Sequence, residues 1–199
     1  VKGDVIKVVV PNYKPKSFSM SAERENEFDI TLKIYPNGRA SGYLDSILIG
    51  GEIEVFRMGV KKRQAGGEML GIISFGVGIT ETLPVVAHEL ERGALNGFGE
   101  GEESGVKNVI FVWASKTKLD MFWHNKIKQL QKKYGQRFKF ITMLSREYFS
   151  NDDGKGILDY ADDIIYGKRI NNRQLIANIF DHSWGTYYGG PHQNLRHKV

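Results

Sequence analysis

The hydrophobic period of this chain changes once, near residue 60, and that change limits it to a small set of folds. Before it, apolar and polar residues alternate at the two-residue period of a strand with one buried face. They do so in Asp4-Val5-Ile6-Lys7-Val8-Val9-Val10, Phe28-Asp29-Ile30-Thr31-Leu32-Lys33-Ile34-Tyr35 and Glu52-Ile53-Glu54-Val55-Phe56. After it, residues 70–75, 109–114 and 138–144 have the pattern of strands, and residues 81–92 and 119–134 that of helices. Strand-helix alternation implies right-handed crossovers and a parallel sheet covered by helices. The expected fold is therefore β plus α/β: an N-terminal antiparallel β half, then a parallel α/β half. Residues 58–68 are basic and glycine-rich with no period, which places the boundary there and gives domains of 1–62 and 63–199. Residues 93–105, rich in glycine and glutamate, are expected to form an exposed loop.

Composition excludes several function classes. A chain of 199 residues, 41% hydrophobic, can bury an ordinary core. It has no cysteine, so disulfides, thiolate-held zinc or iron–sulfur clusters and a cysteine nucleophile are ruled out. His88, His124, His182, His192 and His197 show no metal-ligand spacing, and no metal site is expected. The formal charge of +5 would attract phosphate-bearing ligands or an acidic partner. Its basic residues are spread along the chain without a nucleic-acid-binding motif, which argues against nucleic acid. No apolar run approaches the ~18 residues of a membrane span, and nothing near Val1 has the pattern of a targeting segment. Because the chain starts at Val1 and not Met, a processed or partial product is expected, and the compartment, organellar or cytoplasmic, stays open.

Four stretches carry chemistry. In Ile72-Ile73-Ser74-Phe75-Gly76-Val77-Gly78-Ile79-Thr80-Glu81 an apolar strand runs through a Gly-x-Gly turn into a helix. Gly76 and Gly78 let the backbone approach a pyrophosphate at the helix start, although a plain strand-to-helix connection has the same pattern. Pro36-Asn37-Gly38 marks a turn, and Gly38-Arg39-Ala40-Ser41-Gly42-Tyr43-Leu44 continues it with a cation and exposed amides. A short helix over residues 41–48, capped by Ser41, is expected there, either as an anion site or as a capped surface helix. Lys14-Pro15-Lys16-Ser17-Phe18-Ser19 sets cations, a ring and hydroxyls at a strand end, suited to a phosphate and a planar heterocycle or to a core ring with solvated lysines. Ser145 and Arg146, with Lys155 further along, follow the third strand of the second half and would suit a terminal phosphate such as the 2′-phosphate of NADP, or form a charged loop.

Together and in this order, these pieces resemble the ferredoxin reductase and cytochrome b5 reductase superfamily over almost the whole chain. Lys16-Ser17-Phe18-Ser19 stands where that family has its Arg-x-Tyr-Ser/Thr flavin motif. Leu32-Lys33-Ile34-Tyr35 with the segment from Gly38 to Leu44 is similar to its second flavin segment. Gly76-Val77-Gly78-Ile79-Thr80 matches Gly-Thr-Gly-Ile-Thr/Ala, and Gly189-Gly190-Pro191 matches Cys-Gly-Pro. Ser145, Arg146 and Lys155 match the spacing of NADP-selecting residues in plant-type ferredoxin reductases.

The resemblance implies a partial N-terminal antiparallel β-barrel of the FAD-binding type followed by a Rossmann-like parallel α/β domain of the NAD(P)-binding type, with FAD and NADPH, or NADH, as cofactors. Lys16, Gly38, Arg39, Ala40 and Ser41 would hold the FAD pyrophosphate. Lys33 and Tyr35 would contact the cofactor, and Phe18, Ser19 and Thr80 would lie nearest the reacting rings. Gly76, Gly78 and Gly190 would border the nicotinamide nucleotide. It also implies hydride transfer to flavin, with electrons passed on to a protein carrier: a ferredoxin, a cytochrome or a larger, membrane-associated redox complex.

The sequence departs from the family pattern at several positions. Lys16 replaces an arginine and exchanges a bidentate fork for a point charge. Phe18 replaces a tyrosine, Val77 a threonine, Glu81 a common proline, Ile157 a tyrosine and Gly189 a cysteine. These changes admit a second outcome, a weak or inactive reductase-like subunit with a structural or regulatory role. The family barrel has two further strands ahead of the segment at Asp4 and a last strand beyond Val199. A longer natural protein, or a partner over the open strand edges, is expected.

Overall fold

A computed structural model describes residues 4–58, 68–98, 104–148, 158–168, 170, 176, 177, 179, 180 and, by their backbone, 185–189. Four strands, β1 (Val5–Val8), β2 (Lys16–Glu23), β3 (Phe28–Ile30) and β4 (Val55–Arg57), pair antiparallel in the order β3-β2-β1-β4. Ile6, Val8 and Met20 form the centre of its core, with Phe18, Phe28, Ile30, Leu44 and Val55 packed around them. The longest strand, β2, occupies a stretch expected only to end one. Its pattern is plain in retrospect: Phe18, Met20 and Ala22 alternate with Ser17, Ser19 and Ser21. β3 is shorter than its alternation suggests, and a register shift between Met20 and Ala22 interrupts its ladder with β2. There the Ser21 hydroxyl meets the Asp29 carbonyl and the Thr31 hydroxyl instead.

A helix, α1 (Arg39–Ser46), follows the turn at Tyr35–Gly38, in which the Gly38 N–H donates to the Tyr35 carbonyl and Asn37 takes a positive φ of 61°. It starts two residues earlier than the sequence suggests, and Ser41 is not its cap. The Ser41 hydroxyl lies inside the first turn, accepting from the Tyr35 N–H at 3.2 Å and donating to the Gly38 carbonyl at 3.3 Å.

The second sheet is parallel throughout. β5 (Met69–Phe75), β6 (Asn108–Ser115), β7 (Phe138–Leu144), β8 (Asp163–Tyr166) and β9 (Gly185–Gly189) stand in the order β8-β7-β6-β5-β9. Helices α2 (Ile79–Asn96) and α3 (His124–Tyr134) cover one face. There Ile79, Leu83, Val86, Leu90 and Ile127 pack on Ile72, Phe111, Trp113, Phe138 and Phe140. Ile73, Val112, Ile141 and Met143 line the other face, against Phe180 and its neighbours. This is the α/β half anticipated from the alternation.

Two local expectations are corrected. α2 continues to Asn96, so the stretch from Gly93 is helical at first and not loop; a side chain at Gly93 or Gly105 would collide with the backbone of the other segment, so both glycines serve close packing. α3 begins at His124, not 119. Phe122 turns edge-on to Trp113 at 5.6 Å and Trp123 adopts φ 62°, which ends the short 3₁₀ turn at Lys118–Asp120 and restarts the chain as a helix.

The two sheets meet through α2, which packs on β2. Polar contacts also cross between them: the Ser19 hydroxyl donates to Glu81 at 3.2 Å, and the Lys33 ammonium pairs with Asp120 at 2.9 Å. The hydrogen bond to Asp120 holds the Lys33 ammonium above its ordinary pKa, and the same bond holds the Asp120 carboxyl below its own. The lowered carboxyl stabilises the fold above about pH 4 and loses that effect as pH falls through the folded value; the raised ammonium stabilises it below about pH 10 and loses it as pH rises. With side chains 50% and 30% exposed, water screens the pair to less than about 1 kcal/mol.

Asp120→Asn should therefore lower the melting temperature slightly at pH 7 and progressively less as the pH falls below about 4; a gap that does not shrink with falling pH would show that the pair is not the cause. In the core, Phe111, fully buried, should cost about 3–5 kcal/mol when cut to alanine. Leu119, 96% exposed, should cost less than about 0.5 kcal/mol. Urea unfolding of the two variants checks the contrast.

Candidate functional site

β5 stands between β6 on one side and β9 on the other, so the strand order reverses at its carboxyl end. In open α/β sheets the crevice outside such a reversal is where ligands bind. The chain leaves β5 through a 3₁₀ turn at Gly76–Gly78 and enters α2 directly. Gly76 takes φ 49°, a left-handed conformation that favours glycine. Three side chains fix this turn. The Trp113 indole N–H donates to the Gly76 carbonyl at 2.8 Å, the Thr80 hydroxyl to Val77 at 2.9 Å and the Thr82 hydroxyl to Gly78 at 3.2 Å. Thr80, expected beside the reacting rings, is buried and spends its hydroxyl on the turn.

At the same edge, the hydroxyls of Ser74 on β5 and Ser115 on β6 are buried without a hydrogen-bond partner. Ser145 and Arg146 leave β7 and dock on the end of β6, their N–H groups donating to the Ser115 and Lys116 carbonyls at 3.0 and 2.9 Å. That brings Arg146 beside Lys116, both exposed, and near Lys118, whose backbone N–H and ammonium both meet Glu147. Lys116 and Lys118 escaped the sequence reading. The signal was there, in two lysines straight after an apolar strand. Lys155 and Gly190 lie outside the described residues; Gly189 closes β9.

On the first sheet, Lys16 and Arg39 come together over one ring. The Lys16 ammonium and the Arg39 guanidinium each lie 5.0 Å from the centre of Tyr13, a residue the sequence reading passed over. Beside them is an open cavity of about 440 Å³ lined by residues 10–13 and by Arg39, Gly42, Tyr43 and Ser46 of α1. The first-turn amides of Arg39, Ala40 and Ser41 have no intrahelical acceptor, and Gly38 has no room for a side chain against Ser41. Phe18 packs half-buried on the sheet's core, and Tyr35 is exposed.

A diphosphate fits the first group of residues: two cations, free helix amides and an open cavity. The partnerless Ser74 and Ser115 hydroxyls and the basic edge at Arg146 and Lys116 likewise fit a polar, phosphate-bearing ligand. The fit to a flavin ring is less direct, since Ser19 and Lys33 are already joined to Glu81 and Asp120. Among the described residues no cluster of His, Asp or Glu could hold a metal ion, and no helix is long and apolar enough to cross a membrane.

No protein-family model matches the chain. Individual relatives do. It is 25% identical over 185 residues, 87% of its length, to the flavohemoprotein of Candida albicans, of which it covers 39%. It is 27% identical over 139 residues, 67% of its length, to NADH-cytochrome b5 reductase 1 of Dictyostelium discoideum, of which it covers 43%. The chain thus spans about two fifths of these relatives. In fold it resembles the cytochrome b5 reductase domain of Ulva prolifera nitrate reductase, with a TM-score of 0.67 at 16% identity over 94% of this chain and 72% of that one. Sequence relatives and fold agree with the order of elements described above, and together they support the ferredoxin reductase and cytochrome b5 reductase superfamily.

Proposed function

We propose that this chain is an FAD- and NAD(P)H-binding unit of an oxidoreductase that passes electrons to a protein carrier, with a flavin part in residues 1–62 and a nucleotide part in residues 63–199. The observation that carries it is the Gly76–Gly78 turn, set at the carboxyl end of the strand where the sheet order reverses. Bound FAD would supply the hydride acceptor and release electrons to the carrier.

The protein's own residues supply binding and position. Lys16, Arg39 and the amides of Ala40 and Ser41 neutralise the FAD diphosphate, and Gly38 lets it approach. Phe18 and Tyr35 flank the flavin, and Ser19, Lys33 and Thr80 border it. Gly76 and Gly78 leave space for the nicotinamide nucleotide, whose polar groups Ser74 and Ser115 can satisfy. Arg146, Ser145 and Lys116 favour a 2′-phosphate, hence NADPH over NADH. The net positive charge suits an acidic carrier, a ferredoxin, a cytochrome or a larger redox complex.

A second reading has one observation in its favour. Ser19 and Lys33, on the flavin side, are used to join the two sheets. A subunit that keeps the reductase fold for a structural or regulatory role would have that arrangement.

The protein reconstituted with FAD should show flavin absorbance, and anaerobic NADPH should bleach it faster than NADH. Arg39→Gln should weaken FAD binding roughly tenfold, as expected for a lost charge-assisted contact. A protein that stays colourless with excess FAD decides for the structural reading.

A further inference from the structure

The start of α2 carries a carboxylate that the dinucleotide reading does not use. Glu81 is the acidic residue of the helix's first turn, three positions after Gly78. An eighteen-residue helix offers its positive dipole end to an anion, while the Ile79 N–H at its start is already bonded to the Gly76 and Val77 carbonyls. Glu81 already supplies that anion. Its carboxylate is not loose: the Ser19 hydroxyl on β2 donates to it at 3.2 Å and restrains it beside the helix start. It is only half-exposed, which limits screening by salt. The neighbouring hydroxyls of Thr80 and Thr82 are turned back onto Val77 and Gly78 and offer nothing to a phosphate in compensation.

We infer that Glu81 is a specificity-determining residue: by occupying the positive end of α2 it weakens the site's hold on a diphosphate and leaves recognition to the basic edge at Arg146 and Lys116. This rests on the nucleotide-binding reading above. The site then discriminates by the phosphate on the ribose and not by the bridge common to all dinucleotides. The same carboxylate stabilises α2 in the free protein, so helix and ligand compete for one dipole.

The test is calorimetric titration of the full chain, wild type and Glu81→Gln, with NADP⁺ and with adenosine 2′-monophosphate, which has no diphosphate. Glutamine keeps an acceptor for Ser19 but removes the charge. NADP⁺ should bind the glutamine variant roughly fivefold more tightly, while the monophosphate changes less than about twofold. Glu81→Asp, which keeps the charge, should behave as wild type, and it carries the comparison should the glutamine variant fold poorly. Equal NADP⁺ affinity in wild type and Glu81→Gln, with the monophosphate binding both, overturns the role of Glu81 alone. An aspartate variant that gains affinity overturns it too. No nucleotide bound by any of the three proteins overturns it together with the nucleotide-binding reading.

Discussion

The hydrogen bond from the Trp113 indole to the Gly76 carbonyl ties the candidate site to the core of the second sheet. Trp113 is fully buried on β6, with Phe122 edge-on against it. Its N–H has few possible acceptors there, and burial without one would cost about 1–3 kcal/mol. The acceptor it finds is the first residue of the glycine turn, which fixes where β5 ends and α2 begins. The position of the Gly76–Gly78 turn is therefore a packing decision as much as a local one.

The contact between the two sheets has a different character. It uses half-exposed polar pairs, Ser19 with Glu81 and Lys33 with Asp120, beside the packing of α2 on β2. Pairs of this kind contribute little to stability but fix orientation, because each is satisfied in only one arrangement. Two of the four side chains, Ser19 and Lys33, are also those that the family pattern gives to the flavin. Holding the sheets together and holding the cofactor thus draw on the same groups, and one of the chain's departures from that pattern, Glu81 in place of a proline, falls at this junction.

Much of the fold was legible because its signals are local. β7 matches its apolar run residue for residue, and β5, β6 and α2 were found with their ends shifted by a few positions. The errors have physical causes. β2 was missed because serines are poor strand formers, although Phe18, Met20 and Ala22 kept the period. Ser41 has the type of an N-cap, yet Tyr35–Gly38 closes as a turn and draws the helix start back to Arg39. α3 lost its first turn to Phe122, whose ring packs edge-on against Trp113, and to Trp123, whose ring packs in turn on Phe122.

The sequence by itself determined the fold class, the glycine turn after β5 and the residue types gathered at each end of the candidate site, because hydrophobic period and glycine placement act within a few residues. Tertiary structure alone decided which of those residues meet. β9 pairs with β5 across more than a hundred residues and so creates the reversal of strand order at the turn. Tyr13 joins Lys16 to Arg39, and Asp120 and Glu81 claim Lys33 and Ser19. No local pattern encodes such pairings, since each depends on packing between segments far apart in the chain.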